Sequence, residues 1–268
     1  MSHPLDGCRA KLDRAENQLD ALGDEMREIV EGDAYTFSGQ FNEVDYSLSV
    51  VLEEQRQLPV VDLGLALGEA VHHIRGSLDH LVYQLVIAQN GKPHTSHQFP
   101  IVKKEKGWKA KVVNPPKNKR RGALDFVHRD HVAAIKRLQP YMPTTGKPSL
   151  LTLQRFSNTD KHRLIHAAAT WMTEAPQIDV RLTFPFPLRS VTHHPPGTPL
   201  GKSTEIARAV PGPGIRVDSP DREVDVHANL KFTTVFGEPG KEDTRIRDFR
   251  ECLADAREIV ESFAPAFP

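Results

Sequence analysis

The sequence predicts an α+β fold, a bundle-like core of long helices packed with a small antiparallel sheet, on three observations. Apolar residues recur at three- and four-residue steps near the N-terminus, between Pro59 and Gln89, over 148–171 and near the C-terminus. They alternate in twos over residues 35–53, 177–187 and 223–236. A period near 3.6 marks a helix with one apolar stripe, and a period of two marks a strand with one apolar face. No stretch approaches the roughly 18 consecutive apolar residues that a membrane span requires.

With 268 residues and 38% hydrophobic content, the chain suffices for one core, and residues 1–268 are read as a single α+β domain. Lys plus Arg equals Asp plus Glu at 35 each, so no global field draws the molecule to nucleic acid or membrane and charge arguments are local. Cys8 and Cys252 lie near opposite ends, and the first residues lead into a charged helix rather than an apolar leader. Both features predict a reducing cytoplasm and no disulfide.

The elements follow in chain order. Leu5, Cys8, Leu12, Ala15, Leu19, Leu22, Met26 and Ile29 form one narrow seam of a long helix. Tyr35, Phe37, Gly39 and Phe41, then Val44, Tyr46, Leu48 and Val50, alternate as the two arms of a hairpin. Pro59 opens a helix that buries Leu67, Val71, Ile74, Leu78, Leu81 and Leu85 and stops at Asn90-Gly91. A basic, proline-interrupted loop spans 103–121, with a single acid, Glu105, among its lysines and arginines. A short helix covers about 130–138, and Pro148 to Trp171 reads as helical, with Ser157-Asn158-Thr159-Asp160 capping a fresh helix after a kink. Ile178 to Phe186 and Val224 to Thr234 read as strands, and the last helix covers about 242–263.

Polar residues crowd the second helix at HHIRGSLDHL, residues 72–81. Helical rotation places His72, Arg75 and Asp79 on one flank, and Glu69, His73, His80 and Gln84 on the other. Three readings stay open. A structural network would use Arg75 and Asp79 as an i, i+4 ion pair and tie them to the Asn158–His166 stretch through Lys161 or Arg163. A metal or small-ligand site would draw on His73 and His80 with Glu69, and on His162 with His166. A nucleic-acid site would use Lys103, Lys104, Lys106, Lys109, Lys111, Lys117, Lys119, Arg120 and Arg121 on the backbone, with Trp108 stacking a base. With no phosphate-binding glycine loop and no nucleophile elbow, the sequence implies no cofactor.

The ordered blocks HHIRGSLDHLVYQLV, HQFPI, LQPY and SNTDKHRLIH resemble an uncharacterised bacterial family whose members carry H-N-L-R-S-x-L-D-H-L, F-P-I, L-Q-P-Y and N-x-D-K-H-R. The likeness covers about 68–166 and points to Arg75, Asp79, His80, Asn158, Asp160, Lys161, His162 and Arg163, with His73 where asparagine and Gly76 where serine or alanine is usual. Arg75 and His80 alone are also similar in spacing to the Arg-x4-His motif of the HEPN ribonucleases. That resemblance implies a homodimer cleaving RNA without a metal, with His80 as base and Arg75 as phosphate clamp; Asp79, Asn158, Lys161 and His162 are expected to complete such a site, Lys161 and His162 from across the helices. On a straight helix those two residues stand about 140° apart, so convergence requires a bend or a second subunit.

Overall fold

The computed structural model describes residues 3–31, 35–55, 59–113, 122–171, 177–182, 188–193, 203–212, 224–229, 232–237 and 244–267. They form an α+β fold of helices and small antiparallel sheets, divided into two compact units. One unit comprises residues 1–23, 61–166 and 236–268, and the other 24–60 and 167–235.

The first unit is helical. Helix α1, Asp6–Glu31, buries the seam Cys8, Leu12, Ala15, Leu19 and Leu22, continued by Leu5 just before it. Helix α2, Val60–Ala88, buries Leu67, Val71, Ile74, Leu78, Leu81 and Leu85. Asn90, with φ 54°, ends α2: the Asn90 amide donates to Ile87 and the Gly91 amide to Val86, which satisfies two terminal carbonyls. Helix α3, Glu105–Trp108, runs on into a π turn, Lys109–Val113; then come α4, Arg129–Arg137, α5, Ser149–Asp160, and α6, Ile246–Ser262. Helix α6 lies antiparallel to α1, since Arg250 pairs with Asp20, Arg257 with Asp13 and Glu16, and Arg9 with Glu261. Exposed pairs of this kind contribute little stability each but fix the register.

In the second unit, β1, Tyr35–Phe41, pairs antiparallel with β2, Leu48–Glu54, from Tyr35 opposite Glu54 to Phe41 opposite Leu48. Along the rest of the chain the strands are β3 (His166–Trp171), β4 (Gln177–Leu182), β5 (Leu188–His193), β6 (Ser203–Pro211), β7 (Val224–Asn229), β8 (Phe232–Gly237) and β9 (Thr244–Arg245), the last of these in residues of the first unit. Three sheets form among them: β1-β2-β6-β5, β3-β8-β9 and β4-β7. Val50, Leu52, Ile206 and Ala207 make a small core in the four-stranded sheet.

Several expectations are corrected. The second arm of the hairpin starts at Leu48: Val44 is 91% exposed, and Tyr46, at φ 55°, belongs to the turn. The stretch 148–171 is not one helical region, because α5 ends at Asp160, a turn follows, and His166 opens β3. His162 and His166 therefore do not share a helix. The expected strand 224–234 is two strands, and the connection before it contains β5 and β6. Part of the basic loop is helical from Glu105 to Val113, and the last helix starts at Ile246 rather than about 242. Phe184 and Phe186 lie outside the described residues.

Candidate functional site

The polar stretch of α2 meets a segment with no regular structure of its own, Phe99-Pro100-Ile101-Val102, which is buried throughout. Buried backbone of this kind must find hydrogen-bond partners outside a helix or sheet. Arg75 and Asp79 supply them. Arg75 Nη2 donates to the Phe99 carbonyl at 2.7 Å and lies 2.8 Å from Asp79 Oδ1. The same Asp79 oxygen accepts from the Phe99 amide at 2.8 Å. The ion pair thus holds both polar groups of one residue. Three residues on, the Val102 amide donates to Gln139 Oε1 at 3.1 Å, and Gln139 Nε2 donates to the Ile135 carbonyl at 3.1 Å. Gln139 is fully buried, so this glutamine ties α4 to the same segment.

The fourth block closes on α2 from the end of α5. A Cβ on Gly68 would stand 2.2 Å from Asp160 Oδ1, and one on Gly64 would stand 2.2 Å from the Ile165 carbonyl oxygen. Both glycines exist to admit these neighbours. The HQFPI and SNTDKHRLIH blocks therefore both meet the first block on α2, and LQPY joins them through the Val102 amide.

Electrostatics divide the flanks of α2. Burial pushes the Asp79 carboxyl up, while the Arg75 guanidinium, the Phe99 amide, Lys161 and His72 favour its ionised form. Burial works against the Arg75 charge as well, and Asp79 supports it. His72 and Lys161 are themselves exposed. On the other flank, Glu69 accepts from Gln18 of α1 at 2.6 Å. His80 lies over Gly7 of α1, where an added Cβ would come 2.5 Å from its ring, and its Nε2 stands 3.0 Å from Gln84 Nε2. Burial and then the Lys11 charge hold the His80 pKa below the ordinary histidine value.

The residues singled out in sequence are thus only partly brought together. Arg75, Asp79 and Lys161 share one neighbourhood, whereas His80 is engaged with α1. Asn158 accepts from Gln154 on its own helix at 2.8 Å, and exposed His162 sits in the turn where its amide donates to Thr159. Trp108 is 3% exposed, a core side chain rather than a free stacking face, because the helical turn at 105–113 carries it inward. Lys103, Lys104, Lys106, Lys109 and Lys111 are exposed, and Lys111 also reaches the Ile101 carbonyl at 3.4 Å. Lys117, Lys119, Arg120 and Arg121 lie outside the described residues. Among the described residues, no group of three His, Cys, Asp or Glu side chains is placed to hold a metal ion.

Sequence reasoning did not find Gln139 and the Phe99 backbone as partners of this site. Their signal was membership in the blocks LQPY and HQFPI. No helix among the described residues is long and apolar enough to cross a membrane. No family model, curated protein or solved structure matches the chain.

Proposed function

We propose that the protein is a non-catalytic RNA-binding protein of the cytoplasm, in which the polar stretch of α2 is an internal brace and the lysines after it form the contact face. One observation carries the reading: the Arg75 guanidinium is buried, 2.8 Å from Asp79 and 2.7 Å from the Phe99 carbonyl. A phosphate clamp needs an arginine that is free to meet its anion. This one spends Nη2 on both contacts, and its remaining Nη1 is buried away from solvent, without a hydrogen-bond partner among the described residues.

The brace positions the contact face. Lys103, Lys104, Lys106 and Lys109 follow the clamped segment directly, and among the described residues no ion pair involves them. The one acid in their midst, Glu105, is turned to Lys136 at 3.5 Å and leaves their charge uncompensated. Lysines in this arrangement suit a phosphate backbone read without sequence preference. Two buried, unpaired thiols, Cys8 and Cys252, are in keeping with a reducing compartment.

Incubation of the purified protein with a labelled single-stranded RNA in the presence of chelator tests both halves. The expected result is intact RNA that binds at low salt, with a salt slope reduced by about one for each of Lys103→Ala, Lys106→Ala and Lys109→Ala. Cleavage that survives chelation and is lost in Arg75→Ala and His80→Ala at unchanged melting temperature would establish the nuclease reading instead. Absence of binding at low salt would remove RNA as the partner.

A further inference from the structure

Helix α4, the segment 138–147 and the end of α6 surround an open cavity of about 640 Å³, within the first unit and unconnected with the brace on α2. Its size lies in the range of small-molecule sites. Leu138, Phe263 and Pro265 give it an apolar wall, and the His131 ring, edge-on to Phe263 at 5.7 Å, extends that wall.

The charges on its lining are unequal in what they have left to give. Lys147 Nζ stands 3.0 Å from Asp255 Oδ1 and 2.6 Å from Glu258 Oε2, so two carboxylates already answer its charge. Arg137 lines the same cavity, is exposed, and makes no side-chain ion pair or hydrogen bond among the described residues. Its own carbonyl accepts from the Thr145 hydroxyl at 2.6 Å, which anchors the backbone beneath the guanidinium. Thr144 also lines the cavity.

We propose that this cavity binds a small monocarboxylate with an apolar body, the carboxylate on the Arg137 guanidinium and the body against Leu138, Phe263 and Pro265. A planar guanidinium with free donors matches a carboxylate through two parallel hydrogen bonds. A phosphate ester fits less well. Its second negative charge would find no second uncommitted cation on the lining and would face Glu258. An uncharged ligand would leave Arg137 unused and gain from the apolar wall alone.

Titration of the intact protein with 3-phenylpropionate, octanoate, 3-phenylpropyl phosphate and 3-phenylpropanol, followed by calorimetry and by the shift in melting temperature, tests the assignment. The expected result is saturable binding of at least one of the two carboxylates, weakened about tenfold or more in Arg137→Gln. The phosphate ester and the alcohol bind correspondingly more weakly. Because Arg137 is exposed, the variant keeps the wild-type melting temperature. Ala134→Phe, which fills the cavity from α4, abolishes binding while the protein stays folded. No saturable binding of either carboxylate overturns the proposal. So does equal affinity in Arg137→Gln, equal or tighter binding of the phosphate ester, or binding that persists in folded Ala134→Phe.

Discussion

On one flank of α2, Arg75 and Asp79 direct their charges at the backbone of Phe99; on the other, His73 and His80 face α1, each with a buried Nδ1 that has no partner among the described residues. The same helix therefore carries a close Arg75–Asp79 pair on one flank and, on the other, two histidines whose pKa burial lowers. The difference lies in what each flank packs against. Phe99 offers a carbonyl to the guanidinium and an amide to the carboxylate, so each charge has a backbone partner, while Arg75 Nη1 is buried without one among the described residues. Helix α1 offers Lys11 to both histidines and Arg14 to His73, charges that oppose a second cation. Neighbouring charge and burial, rather than residue type, decide the protonation state.

The largest effect belongs to the charged flank. Arg75→Ala leaves the Asp79 carboxylate without its counterion and the Phe99 carbonyl without a donor, and should cost about 3–5 kcal/mol in denaturant unfolding. Arg75→Met with Asp79→Leu should recover much of that loss, since a buried pair replaced by apolar side chains is often neutral or better. A double variant as unstable as the single one would show that the pair's contacts to the Phe99 backbone dominate over its charge.

The glycine contacts come next. Gly64→Ala drives a methyl group against a main-chain oxygen that cannot rotate away and should cost about 2–3 kcal/mol. Gly7→Ala meets the His80 ring, which can turn, and should cost about 1–2 kcal/mol. Equal losses at the two positions would mean that the His80 flank is as tightly fitted as the α5 contact.

The neutral flank should answer to pH. Burial first, then nearby cationic groups, lower the folded pKa of His80 and His73 below the ordinary value of about 6.5. The unfolded imidazoles therefore take up protons first as the pH falls. Stability is full above about pH 6.5 and declines as the pH drops through the interval down to the folded pKa values. His80→Gln should flatten that decline when unfolding is followed between pH 7.5 and pH 5 at about constant ionic strength. An unchanged slope would locate the effect in His73 or His131, whose pKa burial also lowers. The smallest effect is at the lysines: Lys103→Ala and Lys106→Ala should stay within about 0.5 kcal/mol of wild type while changing the salt dependence of RNA binding.

The helical half of the fold was legible because an apolar stripe is a local property. Every residue of the α1 seam from Leu5 to Leu22 and of the α2 stripe from Leu67 to Leu85 is buried. Strands β5 and β6 escaped because β6 carries Glu205 and Arg208 and is paired on both sides, by β2 and β5, so one-sided alternation does not describe it. The apolar pattern of 148–171 and the cap at Ser157-Asn158-Thr159-Asp160 suggested a helix through His166 that the chain does not form. There α5 stops where Asp160 seats on Gly68, and the turn that follows brings Ile165 to Gly64. Trp108 looked exposed among its lysines and is buried, since its position within a helical turn outweighs the polarity of its neighbours.

By itself the sequence determined which faces of α1 and α2 are apolar and that rotation separates Arg75 and Asp79 from His73 and His80. These follow from spacings of three and four residues along one chain. Only the tertiary structure decided what the polar residues do. The partner of Arg75 lies 24 residues away in Phe99, and the glutamine that completes the network lies 37 residues from Val102. Hydrogen bonds between such distant residues depend on where the chain returns in space, and that is set by the packing of the whole helical unit rather than by any local pattern.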